Sequence, residues 1–316
     1  MKKSIVYFSL PLLLGFGACK HKDLCFDHYH VHEVRIMFDW RNAPDANPES
    51  MAAYFFGNEE TGMLRYIFQN REGDIISMPV GSYSGLGLNS DNTDWARSRH
   101  IDDIEAFETY TDDAITTEAY GLSTRGVPRA PGAEDERMAQ TPGMLWTHRV
   151  DNVTVNSTDS LQTITFYPEE AVCHYTVDIS HVTNLQYVDR AEIDGTISGM
   201  AEGFNHGKNC PTKNHVTMTF TLSADTEAQT LHGELLTFGE CPSDFGSHML
   251  TIYLYLTDGS KWYYNFDVTS QVHNAPDPHN VHIVLSGLPL PQPIVDGGGL
   301  IPDVTDWQTE DIDMKM

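Results

Sequence analysis

Three histidines at every second position, in His28-Tyr-His-Val-His32, are the sharpest chemical feature of the sequence. On an extended chain, side chains alternate between faces. The imidazoles of His28, His30 and His32 would therefore share one face at roughly 6.5–7 Å spacing, which suits metal ligation. That face continues through Val34, Ile36, Phe38 and Trp40, so the histidines also read as polar plugs at the end of a core stripe. A metal site needs a further ligand and outer hydrogen-bond partners, and no residue at a diagnostic spacing provides them. The three histidines remain candidate ligands, and neither a metal nor any other cofactor is assigned.

Two other stretches carry groups suited to catalysis. Asp94-Trp-Ala-Arg-Ser-Arg-His100-Ile-Asp-Asp-Ile-Glu105 gathers a histidine and several acids, but acids in a polar loop are ordinarily solvated. Gly81-Ser-Tyr-Ser-Gly85 has the glycine spacing of a nucleophile elbow, yet its centre is Tyr83, where that turn needs serine. There is no phosphate-binding glycine loop with Lys-Ser/Thr, no His-Glu-x-x-His and no twelve-residue calcium loop. No catalytic residue is assigned, and the expected protein is not an enzyme.

The elements that must position these groups are strands. Residues 32–40 alternate apolar and polar, which marks a strand with one buried face. Runs 51–56 and 63–69 flank Gly57-Asn-Glu-Glu-Thr-Gly62, a hairpin signal. Further strands are expected over 75–79, 83–88 and 104–110, and again over 145–155, 161–167, 173–180, 191–200, 215–222, 231–238, 248–256, 262–268 and 280–285. Even spacing and scarce helical periodicity predict an all-β chain of two antiparallel Greek-key β-sandwich domains. Residues 123–137, with two prolines, two glycines and mixed charge, read as a connector. The expected organisation is a leader over 1–18, a first sandwich over 19–122, a connector over 123–143, a second sandwich over 144–291 and an acidic Gly/Pro-containing tail over 292–316.

The leader has a basic start at Lys2 and Lys3, an apolar run over 5–16 and the ending Gly17-Ala18-Cys19. It is short for a membrane span and has the layout of a secretion signal. Its ending resembles the lipobox of bacterial lipoproteins, although Phe16 stands where leucine is usual. The resemblance implies cleavage before Cys19 and acylation of that cysteine, anchoring the mature chain by lipid. The net charge of −26 becomes more negative by two once Lys2 and Lys3 are removed, which argues against nucleic acid as a partner.

Four cysteines remain besides Cys19: Cys25, Cys173, Cys210 and Cys241. In an exported chain they permit disulfides. Cys210 lies 16 residues before Thr226 and Cys241 lies 15 after it, with Thr226 central to the turn between two predicted strands. A simple hairpin would bring the pair opposite each other, closing a loop with about 3 kcal/mol of stabilisation. Two free thiols at a hairpin mouth are the alternative. Cys25 and Cys173 fall in different expected domains and are left unpaired.

Cys19-Lys-His-Lys-Asp-Leu-Cys25, Asp27-His28 and Arg35-Ile-Met-Phe-Asp-Trp40 resemble the start of Bacteroidetes lipoproteins related to the fimbrillins. Ala130-Pro-Gly-Ala-Glu-Asp-Glu-Arg137, Met144-Leu-Trp146, Gly199-Met-Ala-Glu-Gly203 and His282-Ile-Val-Leu-Ser-Gly-Leu-Pro-Leu-Pro291 extend the resemblance along most of the chain. Relatives of this kind are grouped as a domain of unknown function. The resemblance implies two sandwiches of transthyretin-like topology and a non-enzymatic role as anchor or assembly protein of surface fimbriae in the outer membrane. Fimbrial subunits or other surface proteins would then be its partners. In polymerising subunits of that family, cleavage after an arginine opens a groove for a neighbour's strand; Arg125 and Arg129 lie where such a cut would fall. The alternative function is a glycan-binding accessory lipoprotein of a polysaccharide-uptake system, with Trp95, Trp262, Tyr263 and Tyr264 as stacking surfaces.

Overall fold

The computed structural model describes residues 31–59, 61–114, 127–157, 160–189, 192–241, 246–293, 306–310 and 312. The alternation read from the sequence is realised at the first strand, β1 (Val31–Phe38), which buries Val34, Ile36 and Phe38 and turns the intervening residues outward. It is followed by β2 (Met51–Phe56), β3 (Met63–Phe68), β4 (Ile75–Pro79), β5 (Gly81–Asn89), β6 (Ala96–Arg99), β7 (Glu108–Thr111), β8 (Arg137–Gln140), β9 (Trp146–Val155), β10 (Gln162–Phe166) and β11 (Glu169–Glu170). Next come β12 (Cys173–Ser180), β13 (Glu192–Ala201), β14 (Gly203–Asn205), β15 (Cys210–Pro211), β16 (His215–Asp225), β17 (Thr230–Thr237), β18 (Met249–Tyr255) and β19 (Lys261–Asp267). A single helical turn, α1 (Thr269–His273), precedes β20 (Asn280–Ser286), and β21 (Trp307–Gln308) is the last described strand. The expected all-β class holds. Among the described residues no helix is long and apolar enough to cross a membrane.

The predicted hairpin is present. β2 pairs with β3 from Met51↔Phe68 to Phe56↔Met63, and Gly57 donates its N–H to the Gly62 carbonyl at 3.0 Å. Asn58 Oδ1 accepts from the Thr61 N–H, and Gly62 turns the chain at φ 61°, a conformation that favours glycine. Most pairings are antiparallel. β1–β10, β12–β20, β8–β16 and β19–β21 are parallel, each joining strands far apart in sequence.

Strand pairing divides the chain differently from the expected boundaries. β1 lies between β10 and β4 in one sheet, and a second sheet runs β11-β9-β5-β2-β3. Strands 146–166, expected in the second sandwich, therefore complete the first. Their aromatic side chains explain it: Phe166 is fully buried, stacks on Phe38 at 5.4 Å and packs against Phe55 at 6.1 Å. Trp146 meets Trp40 edge-on at 6.0 Å. Leaving these rings exposed would forfeit on the order of 2 kcal/mol each. The second core belongs to the sheet ordered β20-β12-β17-β16-β13-β18-β19-β21, where consecutive strands β12 and β13 are separated by β17 and β16.

A fourth sheet, β15-β14-β7-β6, joins strands on either side of the connector. His206, just past β14, is buried and is bonded to Thr109 of β7 at 2.7 Å and Thr147 of β9 at 2.9 Å. The rings of Phe107 and Phe204 pack edge-on against it. The acidic tail also differs from expectation. β21 pairs with Lys261 and Trp262 at the edge of the sheet that carries the second core, because Trp307 packs edge-on against both Tyr253 and Tyr255 at 5.4 Å.

Candidate functional site: a strand inserted at a sheet edge

The connector is not a free linker over its described part. β16 pairs with β17 only through Leu222–Asp225, and Glu234–Thr237 of β17 continue along β12 without a partner on β16. The remaining edge of β16, Val216–Thr219, is taken by β8 in parallel register, with Met138 and Ala139 buried beneath it. Upstream, Val127 packs with Tyr253 and Trp307, and the Tyr253 hydroxyl donates to the Pro128 carbonyl at 2.7 Å. Arg129 donates to the carbonyls of Ala133 and Glu136. Glu136 Oε2 in turn accepts from Gly199 N–H at 3.1 Å and Thr217 Oγ1 at 2.7 Å.

Ion pairs fasten the same region to the joining sheet. Glu202 bonds Arg99 at 2.9 Å and Arg137 at 3.2 Å, while Arg99 also bonds Glu108 at 2.6 Å. Burial works to raise the Glu202 carboxyl. Hydrogen bonds from Asn214 and Arg99, with the charges of Arg99 and Arg137, outweigh it and hold the group below its ordinary value. The inserted strand is therefore held by backbone pairing to β16 and to Asp112–Ala114, and further by a carboxylate shared between two guanidinium groups.

The sequence-predicted site residues are scattered. Cys19, Cys25, His28, His30 and Arg125 lie outside the described residues. His32 is half-buried near the start of β1, opposite Met78 of β4, with Nε2 3.2 Å from the Ser160 carbonyl. Arg129, where the resemblance would place a cut, is half-buried with its guanidinium tied to the carbonyls of Ala133 and Glu136. Tyr83 is buried with its hydroxyl donating to the Pro79 carbonyl, which removes the elbow geometry. In the 94–105 loop, Arg97 pairs with Asp112 and Arg99 joins the Glu202 network.

No disulfide joins Cys210 and Cys241 in the structure, and the hairpin register from which one was expected does not reach them. The β16–β17 hairpin forms, but its strands do not continue to the cysteines. Cys210 is drawn into β15, opposite Asn205 of β14, while the bridge Met200↔Glu240 carries the chain before Cys241 toward β13. The aromatic platform is not formed either. Tyr264 is buried, Trp262 and Trp95 pack against the second core, and Tyr263 packs beside Tyr253 and Val127.

Sequence reasoning missed one convergence. Glu240, His248 and His273 each place a donor atom within 4.8 Å of the others. They come from the β17–β18 connection, the approach to β18 and the end of α1, at spacings that match no short motif.

No curated protein matches the sequence significantly. A candidate adhesin from Bacteroides ovatus shares the fold with a TM-score of 0.62 at 20% identity, covering 93% of this chain and 98% of that one. The fimbrial anchor protein Mfa2 from Porphyromonas gingivalis is similar with a TM-score of 0.49 at 11% identity, over 81% of this chain and 91% of that one. A candidate polysaccharide-binding protein from Bacteroides thetaiotaomicron has a TM-score of 0.49 at 9% identity, with the same coverages. Residues 18–221 match the model of the domain of unknown function DUF5119, and the chain belongs to that family.

Proposed function

We propose that the protein is a non-enzymatic, lipid-anchored outer-membrane protein that serves surface fimbriae as an anchor or assembly component. The observation that carries this reading is the fold shared over 93% of the chain with a candidate adhesin, on a sequence whose leader ends in Gly17-Ala18-Cys19. An anchor fits better than a protease-activated subunit, since β8 is docked in its own sheet and Arg129 is tied down. Glycan binding is the weaker reading, because the aromatic residues that would stack on sugars are engaged in packing. Cys19→Ser tests the anchor: the variant should leave the membrane fraction, and fimbrial subunits should co-purify with the detergent-extracted wild-type protein. An unlipidated mature chain that starts downstream of Cys19, or extraction with no surface protein attached, overturns the proposal.

A further inference from the structure

We propose that Glu240, His248 and His273 form a binding site for a divalent first-row metal ion, zinc by its ligand chemistry, that staples the β17–β18 connection to the α1 turn. Two imidazole nitrogens and one carboxylate oxygen are the donor set of a three-ligand zinc site whose fourth position is water. Tetrahedral zinc with bonds of about 2.0–2.1 Å places its ligand atoms roughly 3.3 Å apart. His273 Nε2 and Glu240 Oε2 already stand 3.5 Å apart, and all three donor atoms lie within 4.8 Å.

The surroundings orient the ligands. His248 is buried, and its Nδ1 lies 3.0 Å from the Ser198 carbonyl. A carbonyl only accepts, so Nδ1 carries the hydrogen and Nε2 carries the lone pair that a metal takes. Hydrogen bonding of the non-ligating nitrogen is what fixes the tautomer in histidine metal sites. The contact is produced by a bulge in β13, where the register with β16 shifts between Ile197 and Met200. Gly199 sits there at φ 77°, and a Cβ on it would lie 2.9 Å from His248 Nδ1. The bulge therefore requires glycine and packs its backbone directly on the imidazole. His248 is also clamped to the helical turn carrying His273: its N–H donates to Thr269 Oγ1 at 2.8 Å, and its carbonyl accepts from Val268 at 2.9 Å. The two rings meet edge-on at 5.1 Å. Glu240 and His273 keep side-chain exposures of 26% and 23%, so an ion has a route in from solvent.

Among the described residues a competing site is the half-exposed Asp178, which bridges His232 at 2.7 Å and His282 at 2.6 Å on the outer face of the sheet that carries the second core. Zinc titration of the chelator-stripped, detergent-extracted protein by calorimetry, with Co2+ absorption as a spectroscopic readout, separates them. The expected result is one saturable equivalent, a rise in Tm with zinc and a four-coordinate Co2+ spectrum. His273→Ala should weaken binding by more than about tenfold, as should the milder Glu240→Gln, which keeps the fold should His273→Ala compromise it. His232→Ala combined with His282→Ala should leave binding intact. Absence of saturable binding at micromolar zinc overturns the site, as does unchanged affinity in both Glu240→Gln and His273→Ala, or loss of binding in the His232/His282 variant.

Discussion

Phe166→Ala tests the assignment of the middle strands to the first core. Phe166 is fully buried at the end of β10, stacked on Phe38 with an interplanar angle of 24°, with His148 edge-on at 6.3 Å. Below its ring lie Gly85 and Gly87 of β5. A Cβ at Gly87 would stand 2.9 Å from the Phe166 ring, so bare backbone is what admits the aromatic there. Removing the ring leaves a cavity floored by residues with no side chain that could move in. Phe→Ala in a core costs about 3–5 kcal/mol, and poor collapse puts this site in the upper half of that range, about 4 kcal/mol. That corresponds to roughly a thousandfold rise in the opening equilibrium of the elements Phe166 supports. Hydrogen exchange read by mass spectrometry should then show faster exchange in β1, β2 and β5. Protection in β12, β17 and β20 should change far less, because none of those strands packs on the ring. Loss of protection in β12 and β17 with β1 and β5 unaffected would refute the assignment and restore a boundary at residue 144.

Two further outcomes follow from buried titratable groups. Burial pushes His206 down to about 3, against an ordinary value of 6.5, so between those values the unfolded chain binds a proton that the folded one does not. Stability should be undiminished above pH 6.5 and fall as the pH drops toward 3, by on the order of 2 kcal/mol at pH 5. His206→Gln, measured by urea denaturation at pH 7.5 and 5, should have a shallower slope than wild type; equal slopes contradict the burial argument. For the thiols, burial and the neighbouring Glu170, Asp277 and Glu240 charges push Cys173 up to about 12, and Cys241 is buried, whereas Cys210 is half-buried. Iodoacetamide should therefore label Cys210 first in the folded protein, and a Cys210–Cys241 bridge in non-reducing peptide maps would contradict the placement of Cys210 in β15.

Local patterning was legible in the sequence wherever one strand or one turn contained the whole signal. Alternation over 32–40 specified which side chains β1 buries, and Gly57 to Gly62 specified the β2–β3 hairpin. Alternation selects a face and not a neighbour, so nothing in it paired β1 with β10, which lies more than a hundred residues away. The cysteine argument failed for the same reason. Equal distances from a turn align two positions only while both strands continue, and the short β14–β15 hairpin withdrew Cys210 first. Charge and proline content marked a connector and an acidic tail, yet the uncovered half of β16 and the rings of Tyr253 and Tyr255 recruited β8 and Trp307. The sequence by itself determined the all-β class and the amphipathic face of β1. Tertiary structure alone decided which strands share a core and which side chains meet at Glu240, His248 and His273. Those outcomes depend on long-range packing of aromatic surface and on a backbone bulge, and neither leaves a periodic trace in the chain.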